Sequence, residues 1–351
     1  MKKIKQSKNK KNFLKKIFIK LSRKLGLEII DQNDLFLPTS NLFANQNLSK
    51  SNRYSISIPL GKVTTTRKVN DLTIIVRSYT STEVNRSEIM LDQNKERIFK
   101  DPKVEYTLRT INSLINSSNY ALENFENINI NLIITDDNSS ETNLNQIKSL
   151  LKKAKFKCQL INLKKDEFND LIKKQDINGK EISEAMVSNM RNILKSIFLA
   201  KDSASDLVYF VEDDYIHEIN AITEMLFTYE KICSQINNEI FLCPADYPYL
   251  YKNVDEKTNI FMGNQRHWRT VKETLITFLT SKKMILKYFN ELKSMATVRH
   301  HPMEKKLHDI YEKELCLSPI PSLAMHATNI NSSYGIPPNF NWKKNWEDNK
   351  I

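Results

Sequence analysis

The chain has 351 residues, 40% of them hydrophobic, which is enough for one large or two modest domains with a true core. Its formal net charge is +12, but residues 1–26 hold eleven Lys or Arg and no acid, so the body is close to neutral. A charge confined to one arm excludes a broad nucleic-acid footprint, and no nucleic-acid partner is expected. Four cysteines without a CxxC spacing exclude a zinc module and a disulfide framework and fit a reducing, cytoplasmic setting. No apolar run reaches the ~18 residues that span a bilayer.

From Asn12 to Leu25, Phe13, Leu14, Ile17, Phe18, Leu21 and Leu25 recur at helical spacing among Lys15, Lys16, Lys20, Arg23 and Lys24. This is a basic amphipathic helix, suited either to an anionic membrane surface or to packing on its own domain. The stretch 27–70 is polar and reads as a connector, with one edge strand at Tyr54 to Ile58. The organised region starts at Asp71. Leu72 to Val76 is β-branched and apolar, a strand buried on both faces, and it ends in Arg77-Ser78-Tyr79.

A long polar stretch leads to Pro102, followed by a helix from about Val104 to Asn116 with Leu108, Ile111, Leu114 and Ile115 on one face. A second strand, Ile130 to Ile134, ends in Asp136-Asp137-Asn138-Ser139. The pattern continues with a helix (Thr142 to Lys153), a strand (Lys157 to Leu163) and a helix (Ser183 to Leu199). Strands alternating with helices predict a parallel sheet.

The next strand, Leu207 to Val211, runs straight into Glu212-Asp213-Asp214. The carboxyl ends of parallel strands open onto the ligand crevice, so both acidic clusters belong at one edge of the sheet. Adjacent carboxylates repel, and a hard divalent cation is a common reason to hold them together. The plainer roles are a helix cap for Asp213 or Asp214 and an Asx turn for Asp136-Asp137. Only five glycines occur and none closely follows the first strand, so there is no G-x-G-x-x-G and no P-loop. Phosphates, if bound, must be met by a cation and basic side chains.

Beyond a helix (Glu218 to Ile236) and a strand (Glu239 to Cys243), the aromatic-rich Pro244 to Tyr251 and Phe261 to Arg269 suit a polyhydroxylated ligand or a packed core. A strand (Thr274 to Leu279) and a helix (Lys282 to Lys293) follow. The apolar Pro321 to Thr328 delivers one histidine, His326, and the polar Lys343 to Ile351 is expected to fray.

The ordered set, an opening strand, an Asp-Asp-x-Ser strand end and a later Glu-Asp-Asp strand end, resembles the GT-A superfamily of nucleotide-sugar glycosyltransferases over roughly Asp71 to Thr328. The resemblance implies an α/β, GT-A-like three-layer sandwich with a mostly parallel central sheet, plus the N-terminal basic helix. Its parts would be the arm (1–26), the connector (27–70), a nucleotide-sugar-binding half (71–245), an acceptor-binding half (246–330) and a tail (331–351). It implies that Asp214 and His326 ligate Mn²⁺ or Mg²⁺. Arg77, Asp136, Asp137, Asn189, Arg191, Glu212 and Asp213 would face the nucleotide-diphosphate sugar, with Trp268 and Arg269 toward a glycan or lipid-linked acceptor. In an inverting reaction a carboxylate must take the acceptor proton. Glu304 is the first candidate, with Asp309 and Asp246 behind it; the plainer role for Glu304 is a solvated residue in the first turn of a helix. Retaining chemistry, a sugar nucleotidyltransferase and a non-catalytic membrane-surface or nucleic-acid-binding protein are the alternatives. The nucleotidyltransferase would be expected to carry a Gly-rich loop where this chain has Arg77-Ser78-Tyr79-Thr80.

Overall fold

A computed structural model describes residues 13–27, 55–58, 61–80, 97–252, 257–328 and 332–351. The first twelve residues of the arm, most of the connector including Tyr54, and the polar stretch 81–96 lie outside the described residues. The chain divides into two compact units, one of Met1–Asn47 with Ile58–Lys62 and the other of Leu48–Ser57 with Val63–Ile351.

In the first unit, α1 spans Phe13–Lys24. Gly26 at φ +74° lets Leu27 N donate to Ser22 O (2.9 Å) and Gly26 N to Arg23 O (3.1 Å), a Schellman end. Phe13, Leu14, Phe18, Leu21 and Leu25 are all more than half exposed, and Lys16, Lys20, Arg23 and Lys24 are exposed too. Among the described residues, no helix is long and apolar enough to cross a membrane.

The second unit holds the sheet. After β1 (Ser55–Ile58) and β2 (Gly61–Thr64), the order along the chain is β3 (Asp71–Ser78), α2 (Lys103–Asn124), β4 (Asn129–Asp136), α3 (Glu141–Leu151), β5 (Lys157–Asn162), α4 (Glu184–Ser203), β6 (Leu207–Glu212), β7 (Tyr215–His217), α5 (Ala221–Ile236) and β8 (Phe241–Leu242). Then come β9 (Ile260–Met262), β10 (His267–Thr270), β11 (Phe278–Ser281), α6 (Lys282–Lys287), α7 (Phe289–Thr297), α8 (Lys305–Tyr311), β12 (Cys316–Ile320), β13 (Ala324–His326) and α9 (Trp342–Asp348). Nine strands form one sheet in the order β5-β4-β3-β6-β11-β8-β12-β10-β9. Its first four strands are parallel, β12 is parallel to β8, and β11, β10 and β9 run antiparallel to their neighbours.

Side chains alternate along each strand, and that alternation sorts the core into two layers. Ile74, Val76, Leu207, Tyr209 and Val211 pack with α2, α3 and α5. Ile75, Val208 and Phe210 face the other way onto α4, α7 and α8. The result is helix, sheet, helix, the layering expected of an α/β chain, and each buried Leu, Ile or Val adds about 1.5–3 kcal/mol. The caps are local. Ser140 accepts from Asn143 N (3.3 Å) to start α3, and Ser183 accepts from Met186 N (3.2 Å) to start α4.

Four expectations change. The α2 helix runs eight residues past Asn116. The expected strand at Thr274 to Leu279 lies later, at Phe278–Ser281, and the expected helix Lys282 to Lys293 is broken into α6 and α7 at Tyr288. The tail does not fray: Trp346 and Asn345 are buried in α9, and a small third core joins Trp346, Tyr106, Ile216, Met325 and Phe340. Four-residue spacing of Trp342 with Trp346 and of Asn345 with Asn349 gives this short helix one packing face.

Candidate active site at the strand ends

Ser78 pairs with Asp136 and Arg77 with Glu212, so the carboxyl ends of β3, β4 and β6 lie side by side and both acidic clusters do share one edge. The two clusters are then used differently. Asp136 is buried and accepts from Ser78 Oγ (2.9 Å), Ser139 Oγ (2.6 Å) and Ser139 N (3.0 Å), a turn-forming hub made possible by Asn138 at φ 73°. Burial pushes its carboxyl above the ordinary range, against those hydrogen bonds. Asp137 is equally buried and accepts from Ser188 Oγ (2.7 Å) and Arg191 Nη1 (3.0 Å). Arg191 in turn reaches Glu167 O (3.2 Å) and Asn169 Oδ1 (3.3 Å). Asn192 was not singled out from the sequence. It donates to Ser78 O (3.2 Å) and Thr135 O (3.1 Å), stapling the ends of β3 and β4 together.

The β6 cluster is split among three neighbours. Glu212 lies 3.0 Å from Arg77 and accepts from Thr277 Oγ1 (3.1 Å), while Arg77 also donates to Asn189 Oδ1 (3.0 Å). Asp213 has both oxygens engaged, by Lys103 Nζ on one side and by Thr107 Oγ1 (2.9 Å) and Tyr79 N (3.1 Å) on the other. Lys103 and Thr107 are one turn apart at the start of α2, so that face of the helix leans on the acidic strand end.

Asp214 lies 3.4 Å from His326 Nε2 and 3.7 Å from Arg97 Nη1. Strand β7, which follows Asp214, pairs antiparallel with β13, which ends in His326; Tyr215 lies opposite His326, and their rings stack at 4.7 Å. His326 Nδ1 donates to Tyr334 O (2.8 Å), which turns Nε2 toward Asp214, where a protonated Nε2 faces the carboxylate as a donor and a deprotonated one offers its lone pair to a cation. Burial opposes charge on both groups. His326, Lys103 and Arg97 nevertheless hold the Asp214 carboxyl well below the usual range, and Asp214 raises the His326 imidazole. Among the described residues no group of three or more His, Cys, Asp and Glu stands together to hold an ion. The pair would still suit a hard or borderline cation, one carboxylate and one oriented imidazole being donors of the right kind.

Glu304 sits at the N-cap of α8, but its side chain makes no capping bond. Burial, then the charge of Glu212, push its carboxyl up to about 7, with Arg77 pulling the other way. It thus belongs electrostatically to the same site as Glu212 and Arg77. Asp246, the second candidate, is 1% exposed and accepts from both Tyr251 and Arg269. Arg269 is spent on that buried pair, and Trp268 is fully buried with Nε1 donating to Glu224 (3.2 Å). These two expected acceptor contacts are core residues, because β10 is an interior strand between β12 and β9. His217, the last residue of β7, is buried against Tyr209 (2.5 Å), and burial drives its imidazole down to about 3, so it stays neutral.

Fold and site together define an α/β protein with an acidic, histidine-bearing cluster at the carboxyl edge of a parallel strand block. No family model matches this chain, and no curated protein does. Solved structures similar to it include S. aureus TarS (residues 1–349) at 10% identity and TM-score 0.32, covering 62% of this chain and 49% of that one. This chain therefore spans about half the length of that TarS structure. The galactosyltransferase LgtC with donor and acceptor sugar analogues is similar at 12% identity and TM-score 0.34, covering 69% and 70%. UDP-glucose pyrophosphorylase with UDP-glucose is similar at 6% identity and TM-score 0.34, covering 80% and 97%. Likeness at this level extends no further than the arrangement of sheet and helices, and function has to be argued from the site.

Proposed function

We propose that the protein is a metal-dependent glycosyltransferase that moves a sugar from a nucleotide-diphosphate sugar to a hydroxyl of a glycan or lipid-linked acceptor, with inversion. The observation that carries this reading is the meeting, at one sheet edge, of the Asp214–His326 pair with Glu212 and Arg77; the uncapped Glu304, whose carboxyl is pushed up to about 7 by burial and by Glu212, is the base assigned to it. Asp214 Oδ1 and His326 Nε2 would hold Mn²⁺ or Mg²⁺. Held there, a divalent cation would supply positive charge to offset that of the leaving diphosphate. Arg77, fixed between Glu212 and Asn189, borders the donor side. Glu304 takes the proton of the acceptor hydroxyl as its oxygen bonds to the anomeric carbon, and the bond from that carbon to the diphosphate breaks.

Incubation with a panel of nucleotide sugars and Mn²⁺ tests the class directly. Release of nucleoside diphosphate supports transfer. Pyrophosphate-dependent release of sugar 1-phosphate and nucleoside triphosphate identifies a nucleotidyltransferase instead.

The arm bears on the acceptor. Exposed Phe13, Leu14, Phe18, Leu21 and Leu25 with Lys16, Lys20, Arg23 and Lys24 favour peripheral contact with an anionic membrane, at the inner face if the acceptor is lipid-linked. Co-sedimentation with anionic vesicles should be lost on deleting residues 1–26. Equal binding by both chains would discard that contact.

A further inference from the structure

We propose that Arg97 is a diphosphate ligand of this site, donating from Nη1 to phosphate oxygens beside Asp214. The assignment deepens the reading above, since it supplies a protein donor for the leaving group in addition to any cation. The Arg97 side chain is 33% exposed, but its Nη1 is buried and makes no hydrogen bond among the described residues. At 3.7 Å, Asp214 is beyond hydrogen-bonding length, so the pair is held by charge alone. A buried donor left unmet destabilises the fold, more so when it is charged. Such a cost is tolerated where a ligand will meet the donor.

The guanidinium is held ready for that task. It lies over the Tyr106 ring at 4.7 Å. The next two residues are tied down on both sides, Ile98 N donating to Thr328 O (3.1 Å) and Phe99 N to the Tyr106 hydroxyl (3.0 Å), which itself donates to Phe99 O (2.7 Å). Phe99 is stacked on Trp346 at 3.8 Å and edged by Trp342 at 5.6 Å. Little ordering is therefore left for binding to demand of Arg97. The neighbouring cation, Lys103, is already committed to Asp213. A planar guanidinium matches phosphate oxygens in a way that an ammonium does not.

The competing role is that Arg97 merely screens Asp214 and gives way to a divalent ion. The two differ in sign. The full chain and its Arg97→Met and Arg97→Lys variants, each checked by circular dichroism, are titrated calorimetrically with pyrophosphate and with UDP and GDP, in Mn²⁺ and in EDTA. The proposal expects pyrophosphate and nucleoside diphosphate affinity to fall at least tenfold in Arg97→Met, with partial recovery in Arg97→Lys. Unchanged or tighter binding in Arg97→Met, or no pyrophosphate binding by the wild type, overturns it. Pyrophosphate binding that depends on Arg97 without any gain from the nucleoside upholds Arg97 while removing the nucleotide-sugar reading.

Discussion

Replacing Trp346 by Ala tests whether the C-terminal helix is part of the site or an ornament on it. The indole is 2% exposed, stacks on Phe99 at 3.8 Å and 11°, leans on Tyr106 at 4.7 Å and lies under the Arg109 guanidinium at 4.2 Å. Its carbonyl accepts from Arg109 as well. An aromatic side chain of this kind buries about 150–250 Å², which at about 25 cal/mol/Å² is about 4–6 kcal/mol. Measured large-to-small losses for Trp and Phe run about 3–5 kcal/mol. Urea unfolding of the full chain should therefore show a loss of about 4 kcal/mol for Trp346→Ala and a much smaller one for Trp346→Phe. Because the ring fixes Phe99, and through it Arg97, nucleotide binding should weaken in the alanine variant under conditions where it is still folded. A loss below about 1 kcal/mol would refute the packing argument. Full-strength binding in a folded Trp346→Ala protein would refute the link to the site.

Three further outcomes are expected. With Glu304 at about 7, raised by burial and by Glu212 against the pull of Arg77, a general base is charged only above neutrality. Thus kcat/KM should fall about tenfold per pH unit below pH ~7, and Glu304→Gln should cost about 10²–10⁴-fold and erase that limb; an acid limb that persists in the variant assigns it elsewhere. Gly263→Ala would place a Cβ 2.3 Å from Trp268 Cδ1 and Nε1, so thermal unfolding should show a loss of about 1–3 kcal/mol; wild-type stability would mean that the loop has room. Glu224 accepts from Gln265 N (2.8 Å), Asn264 N (3.1 Å) and Trp268 Nε1 (3.2 Å), so Glu224→Gln should cost about 1.5–3 kcal/mol in the same assay, and no change would show that these bonds are replaced by water.

The parallel block was legible because Leu72 to Val76, Ile130 to Ile134 and Leu207 to Val211 are buried on both faces and leave no alternation to misread. That the acidic ends of the last two share one edge followed from the parallel direction of the strands. What the sequence hid was polar burial. Asn112, Ser113 and Ser117 look like a helix running out, yet they bond to Asn349 O, His217 and Ile222 N inside the fold, and α2 continues. Asn345 and Asn349 hid the tail in the same way, Asn345 donating to Ile216 O (3.0 Å) and Asn349 to Asn345 O (2.8 Å). Trp268 and Arg269 misled in the opposite sense, since aromatic and cationic residues that suit an acceptor suit a core pair equally well. Arg97, Lys103 and Tyr334 could not be placed at the site from spacing alone. Their positions depend on how α2 and the tail close around Asp214, which is tertiary information.

The most direct test of the central claim is a calorimetric titration of the full chain with a panel of nucleoside diphosphates, with and without Mn²⁺, beside Asp214→Ala. The account predicts binding of one nucleotide that strengthens with Mn²⁺ and loses that gain in the variant. Binding of no nucleotide under either condition, or Mn²⁺-enhanced binding that survives Asp214→Ala, would contradict it.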